Sequence, residues 1–253
     1  LNCYSCPAAS GACPIGAFQA VVGSSKFSFS YYITGFLILL GVLLGRFICG
    51  FLCPFGWFQE LLHKNPPRRS FPQKRLKPLT YLKYAVLLVM VFLLPAFLVN
   101  DVGMGDPFFC KYLCPQGVLE GAIPLSLANS GIRAALGKLF TWKFSILLSV
   151  IVLSVVFYRP FCKWLCPLGA FYALFNRVSL FQMKVDKNKC ISCGKCARAC
   201  KMNVDVTKTP NHTECIRCGM CVRACPTKRR VLPLRLRQRG RDTKRKQRWR
   251  NQK

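Results

Sequence analysis

The sequence predicts an α-helical membrane protein with a C-terminal α+β ferredoxin domain of the bacterial two-cluster type. Three observations predict it. Long apolar runs, charged only near their ends, punctuate residues 27–158, two tandem Cys-x2-Cys-x2-Cys-x3-Cys runs lie near the C-terminus, and most basic residues are segregated from the apolar runs. Of 253 residues 52% are hydrophobic, and 38 Lys+Arg stand against 8 Asp+Glu, a net charge of +30. On a soluble chain that charge would point to nucleic acid. Here the basic residues gather between and after the apolar runs, as in the cytoplasmic parts of membrane proteins, and no specific nucleic-acid binding is expected.

The elements follow in order. Residues 1–26, with Cys3, Cys6 and Cys13, read as an extracytoplasmic segment; the chain opens at Leu1 inside a motif, so a further upstream segment, with one more helix, is expected. "FSFSYYITGFLILLGVLLGRF" (27–47), "TYLKYAVLLVMVFLLPAFLV" (80–99) and "KFSILLSVIVLSVVFY" (143–158) read as three spans. Residues 64–83 hold seven Lys/Arg and no acid, and the segment after 178 is richer still, so both belong inside by the positive-inside rule. Residues 100–142 balance Asp101, Asp106 and Glu120 against Lys111, Arg133 and Lys138, which suits the outer side. The domains are then 1–26, a membrane domain 27–183, a ferredoxin domain 184–227, and a basic tail 228–253. That tail has thirteen Lys/Arg and one acid and reads as disordered. This places the chain in the inner membrane of a bacterium or archaeon, with ferredoxin domain and tail in the cytoplasm.

Seventeen cysteines, an odd number in a long chain, exclude a small disulfide scaffold. With only His63 and His212, bis-histidine haems are set aside. "CISCGKCARAC" (190–200) and "CIRCGMCVRAC" (215–225) have the spacing of paired cubanes, in which three cysteines of a loop bind one cluster and the fourth binds the other. One [4Fe-4S] cluster should therefore use Cys190, Cys193, Cys196 and Cys225, and the second Cys215, Cys218, Cys221 and Cys200, with Gly194 and Gly219 supplying the tight loop.

A Cys-Pro-x-Gly unit occurs four times, at Cys13, Cys53, Cys114 and Cys166, each before an apolar run. In three of them another cysteine lies four residues earlier: Cys49, Cys110 and Cys162. Proline favours the first helical turn, so each Cys-Pro cysteine should sit at a helix N-terminus, where free amides favour a thiolate or cluster sulfide. The span directions put Cys49, Cys53, Cys162 and Cys166 together at the inner face, enough for one further cubane. They put Cys110 and Cys114 with Cys3, Cys6 and Cys13 at an outer site. Redox disulfide or copper chemistry is the alternative use of these pairs. A quinone site would need a proton acceptor; Glu60, His63, Asp101, Asp106 and Glu120 are its candidates, without a motif that specifies the pocket.

These motifs, "CYSCP…CPIGAFQ", "GRFICGFLCPFGWFQELL", "YRPFCKWLCPLGAFYALF" and the two ferredoxin runs, resemble those of membrane polyferredoxins with Cys-x3-Cys-Pro motifs. That group includes the NapH-like membrane subunit of a quinol dehydrogenase, and the iron–sulfur domains of the nitrous oxide reductase regulator and of a cytochrome oxidase assembly protein are related. The resemblance covers nearly all of the chain except the tail. It implies an integral membrane electron-transfer protein, often linked to quinol oxidation, with redox protein partners. A third full pair, "CKYLCPQG", and the basic tail go beyond the family pattern. An assembly factor that reduces copper or disulfides, and a redox-responsive regulator, are the alternative functions.

Overall fold

The computed structural model describes residues 14–23, 31–63, 78–98, 106–128, 137–186, 190–226 and 234–236. The described part is mostly helical. In chain order come α1 (Pro14–Gly23), α2 (Tyr31–Leu44), α3 (Phe47–Phe51), α4 (Pro54–Leu62) and the long α5 (Pro78–Phe97). Then follow α6 (Phe109–Leu113), α7 (Gly117–Ala122, continuing as Ile123–Ala128), α8 (Lys138–Val156), α9 (Pro160–Trp164) and α10 (Pro167–Phe175). The ferredoxin part holds β1 (Phe181–Met183), α11 (Lys195–Arg198), α12 (Met220–Ala224) and β2 (Leu234–Leu236).

Two helices, α5 with 20 residues and α8 with 19, are long and apolar enough to cross a membrane, and α2 is a shorter apolar helix. At about 1.5 Å per residue, each long helix covers roughly 30 Å. Their outward faces are apolar: Phe36, Leu39, Leu88, Phe97, Leu148 and Val152 are all more than half exposed. Helix directions alternate. The C-terminal end of α2, the N-terminal turn of α5 and the C-terminal end of α8 all meet the ferredoxin part, through Arg217 on the Leu44 carbonyl, Lys83 on Glu214, and Tyr158 packed with Met202 and Ile216.

Proline sets the local geometry of the motifs. It forces the residue before it into extended backbone, and Cys53 (φ −79, ψ 111), Cys114 (φ −76, ψ 111) and Cys166 (φ −70, ψ 113) share one conformation. Cys53 and Cys166 cap α4 and α10, each sulfur accepting from the amide two residues past the proline, Gly56 and Gly169, at 3.4 Å. The two motifs then meet in the core, where Phe55 and Phe161 pack edge to face at 5.2 Å, worth about 0.5–1.5 kcal/mol beyond the area they bury.

The tail departs from expectation. Leu234–Leu236 forms a strand antiparallel to Phe181–Met183, with Gln182 opposite Arg235. The sequence "LPLRLR" alternates with period two, a strand pattern that its high charge obscures. The remaining tail residues, 228–233 and 237–253, lie outside the described residues.

Candidate metal centres

In the ferredoxin part the two cysteine runs fold alike. Gly194 (φ 67) and Gly219 (φ 78) start α11 and α12, and Ser192 (φ 50) and Arg217 (φ 53), two residues before each glycine, are also left-handed. The repeated turn swings each loop around its sulfurs. Cys200, Cys215, Cys218 and Cys221 line one small cavity of about 20 Å³ with Met183, Met202 and Ile216. Around the other run, Cys190 and Cys225 pack against the core that holds Cys196, and Cys193 is exposed. The second proposed set is thus drawn together across the two runs, and Cys190, Cys196 and Cys225 of the first share one core.

A second gathering of cysteines lies where the helices meet the ferredoxin part. Cys49, Cys53, Cys162 and Cys166 line a cavity of about 170 Å³, far more than the roughly 10–15 Å³ one water needs. All four Cys-Pro-x-Gly units reach it, since Ile15, Phe55, Gln116 and Leu168, the variable residue of each, are in its wall. The expected separation of an inner from an outer site is not found, because Cys114 lines this same chamber and Cys110 is buried in the same apolar core. Residues 106–128, read from charge as an outer loop, instead coil as short helices against α8. A charge count over a loop cannot see backbone that turns back into the helical layer. Cys3, Cys6, Cys13 and Asp101 lie outside the described residues.

The two matching motifs brace each other by exchange. Arg159 donates to the Cys49 carbonyl at 2.8 Å and the Gly50 carbonyl at 3.1 Å, while Arg46 reaches the Cys162 carbonyl at 3.5 Å. Each motif glycine fills the notch this leaves. A Cβ on Gly56 would stand 3.2 Å from Arg159 and 3.3 Å from the Cys49 carbonyl; on Gly169 it would stand 3.2 Å from the Cys162 carbonyl and 3.5 Å from Arg46. Gln59 completes the crossing, donating to the Cys162 sulfur at 3.4 Å and accepting from the Phe161 amide. Its place, six residues after the Cys of its Cys-Pro unit, is taken by Gln19, Glu120 and Tyr172 in the other units.

The chamber is ringed by buried positive charge. Arg46, Lys83, Arg159 and Lys163 are buried, and two carboxylates face them, with Glu214 bonded to Arg46 (2.9 Å) and Lys83, and Glu60 bonded to Arg159 (2.5 Å). Two guanidiniums in the chamber wall, those of Arg46 and Arg159, favour an anion within it. Four thiolates on a doubly positive [4Fe-4S] core would supply a net two negative charges. The Nε groups of Arg46 and Arg159 are buried and find no hydrogen-bond partner among the described residues, which leaves two donors beside the chamber. The cysteines lie beyond the ends of α2 and α8. Burial pushes the Cys162 thiol up to about 12, aided by neighbouring Cys53 and Cys49, and raises Cys49 and Cys166 as well. As free thiols they stay protonated at neutral pH, and a bound metal core is what would make them thiolates. Among the described residues no three Cys, His, Asp or Glu side chains converge on a single ion; a cubane gives each thiolate its own iron and does not require that. The residues present fit the cluster.

The remaining candidates take ordinary partners. Glu60 is held by Arg159, Asp106 by Lys111 at 2.7 Å, and Glu120 accepts from Gln116 at 3.1 Å. His63 stacks edge-on to Tyr158, and its Nδ1 is buried without a partner among the described residues. Sequence reading passed over Arg46, Lys83, Gln59 and Glu214 as site residues. The signal was there: a charge inside or at the end of an apolar run is expensive and needs a named partner.

The ferredoxin part sits on the chamber through its second run. Glu214 and Arg217 flank Cys215–Ile216, and Arg217 donates to the Leu44 carbonyl (2.8 Å), the Asn176 carbonyl (2.8 Å) and Ser179 (2.7 Å). Asn176 donates back to the His212 and Cys215 carbonyls. Met202 and Ile216 line both the chamber and the second-run cavity, forming their common wall.

The two cysteine runs and the cysteine-lined chamber are the features of an iron–sulfur protein of ferredoxin type. The comparisons agree. Residues 11–32, 29–77, 83–123 and 139–188 each match the 4Fe-4S binding domain family, so that every match holds one Cys-Pro-x-Gly unit, and residues 182–226 match the 4Fe-4S dicluster domain. The chain belongs to the 4Fe-4S binding domain family, among the ferredoxin-type polyferredoxins. An uncharacterised protein of Methanocaldococcus jannaschii is 31% identical over 70% of this chain and 68% of its own. YccM of Escherichia coli, a proposed electron transport protein, is 28% identical over 68% of this chain and 45% of its own. The ferredoxin-type protein NapH of Haemophilus influenzae is 27% identical over 43% of this chain and 52% of its own. The chain thus spans about half the length of these last two. No solved structure matches.

Proposed function

We propose that this chain is a membrane-spanning electron carrier that moves electrons between the quinone pool or a membrane partner and a redox partner. The observation that carries the reading is the chamber: Cys49, Cys53, Cys162 and Cys166 from two distant motifs, with Cys114 beside them, walled in part by buried Arg46 and Arg159 and sharing a wall with a ferredoxin cavity. Cys49, Cys53, Cys162 and Cys166 would hold a third [4Fe-4S] cluster beside the two in the ferredoxin part, and such a cluster supplies reversible one-electron transfer. Arg46 and Arg159 fix the spacing of the two cysteine pairs and face the added negative charge. Much of the wall is apolar, and Gln59 donates to one sulfur. The Lys/Arg bias supports three spans, from α2, α5 and α8, with the ferredoxin part on the cytoplasmic side. Cys110 and Cys114 remain candidates for a further site beside the chamber. Glu60, His63, Asp101, Asp106 and Glu120 remain the candidate quinone-site acceptors.

The test is the Cys49→Ala/Cys53→Ala variant. Iron and acid-labile sulfide are expected to fall by about four atoms each, with loss of one EPR signal and the ferredoxin signals intact. Unchanged iron would remove the chamber cluster and favour thiol chemistry. Reduction of the purified protein by a menaquinol analogue tests the quinone link, and no reaction with all clusters intact would remove it.

A further inference from the structure

The ferredoxin part has two unlike ends. The second cysteine run is buried against the chamber, whereas the first is turned outward. Ile191 is 65% exposed, and Ser192, Cys193, Lys195 and Arg198 are exposed beside it. Arg198 lays its guanidinium on this loop, donating to the Cys193 carbonyl at 3.3 Å, so a positive charge is fixed next to an exposed cluster ligand. Of this part's three carboxylates, Asp186, Asp205 and Glu214, two are turned away: Asp205 accepts from Thr207 in its own loop, and Glu214 is buried on Arg46 and Lys83. An apolar tip with a basic rim over a metal ligand is the profile of a transient electron-transfer contact, in which charge steers the encounter and the small apolar patch makes it. A second copy of this chain, carrying the same net +30, is repelled from it.

We infer that the exposed loop Ile191–Lys195, with Arg198 at its rim, is the docking port for a soluble electron carrier with an acidic face. One electron leaves the reduced carrier and arrives at the group held by the first run, or the reverse, and no bond or proton changes hands. The port rests on the carrier reading above but fails separately from it, because it concerns the ferredoxin part alone and not the iron content of the chamber.

The experiment compares reduction of the purified, cluster-loaded full chain by a reduced acidic bacterial ferredoxin and by dithionite, followed by stopped-flow absorbance. In a Lys195→Glu/Arg198→Gln variant, reduction by ferredoxin should slow about fivefold or more at low salt and lose its ionic-strength dependence. Dithionite reduction and iron content should stay unchanged. Ile191→Glu, which removes no hydrogen bond and adds one negative charge, should act in the same direction. Wild-type rates with ferredoxin in both variants, or equal slowing with dithionite, would overturn the port.

Discussion

The ferredoxin part and the chamber both gather cysteines from two separate motifs, by opposite means. In the first, three sulfurs come from one short loop whose left-handed residues, Ser192 with Gly194 and Arg217 with Gly219, are written into the run itself. In the second, two pairs arrive on separate helix ends, and each is spaced by an arginine from the other pair's motif. A local design tolerates change elsewhere in the molecule. A collective one transmits it.

Three substitutions probe that contrast, from the largest effect to the smallest. Glu214→Ala leaves Arg46 and Lys83 buried without their shared carboxylate, a loss of about 3–5 kcal/mol. The ferredoxin part should then be released early in limited proteolysis, and the chamber should lose iron while the ferredoxin EPR signals persist. Persistence of both in equal measure would show the chamber to be as self-sufficient as the cysteine runs. Gly50→Val comes next. A Cβ at Gly50 would stand 2.9 Å from the Ile216 carbonyl, so the second run must lift off the common wall, at about 1–3 kcal/mol. Faster exchange of the Ile216 and Arg217 amides with deuterium is the expected reading, with the amides of the first run unchanged. Gln59→Leu comes third, removing the buried side chain's hydrogen bonds to the Cys162 sulfur, the Phe55 carbonyl and the Phe161 amide, at about 1–3 kcal/mol. The chamber's midpoint potential should fall, because the lost donor favours the more negative reduced state, and the ferredoxin potentials should hold.

What could be read from the sequence follows the same division. The grouping of Cys200 with Cys215, Cys218 and Cys221 was legible because the spacing of the two runs calls for it. So was the placing of Cys53 and Cys166 at helix starts, since proline restricts both itself and the residue before it. The union of the two Cys-x3-Cys-Pro pairs was legible through span direction. The position of Cys114 was not, because residues 106–128 carry mixed charge like a surface loop yet pack as short helices against α8. Nor was Leu234–Leu236, whose period-two pattern lies within a run of arginines. Arg46 and Arg159 could be seen to recur, but their exchange between motifs is a property of the assembled pair.

The bond between Arg46 and Glu214 joins residues 168 positions apart. During synthesis Arg46 and then Lys83 emerge long before the carboxylate that neutralises both. The seat of the ferredoxin part therefore closes only when the second cysteine run has been made. The last motif of the chain to appear is the one that locks the first half in place, so any truncation upstream of residue 214 leaves two helix-end cations without their counter-charge.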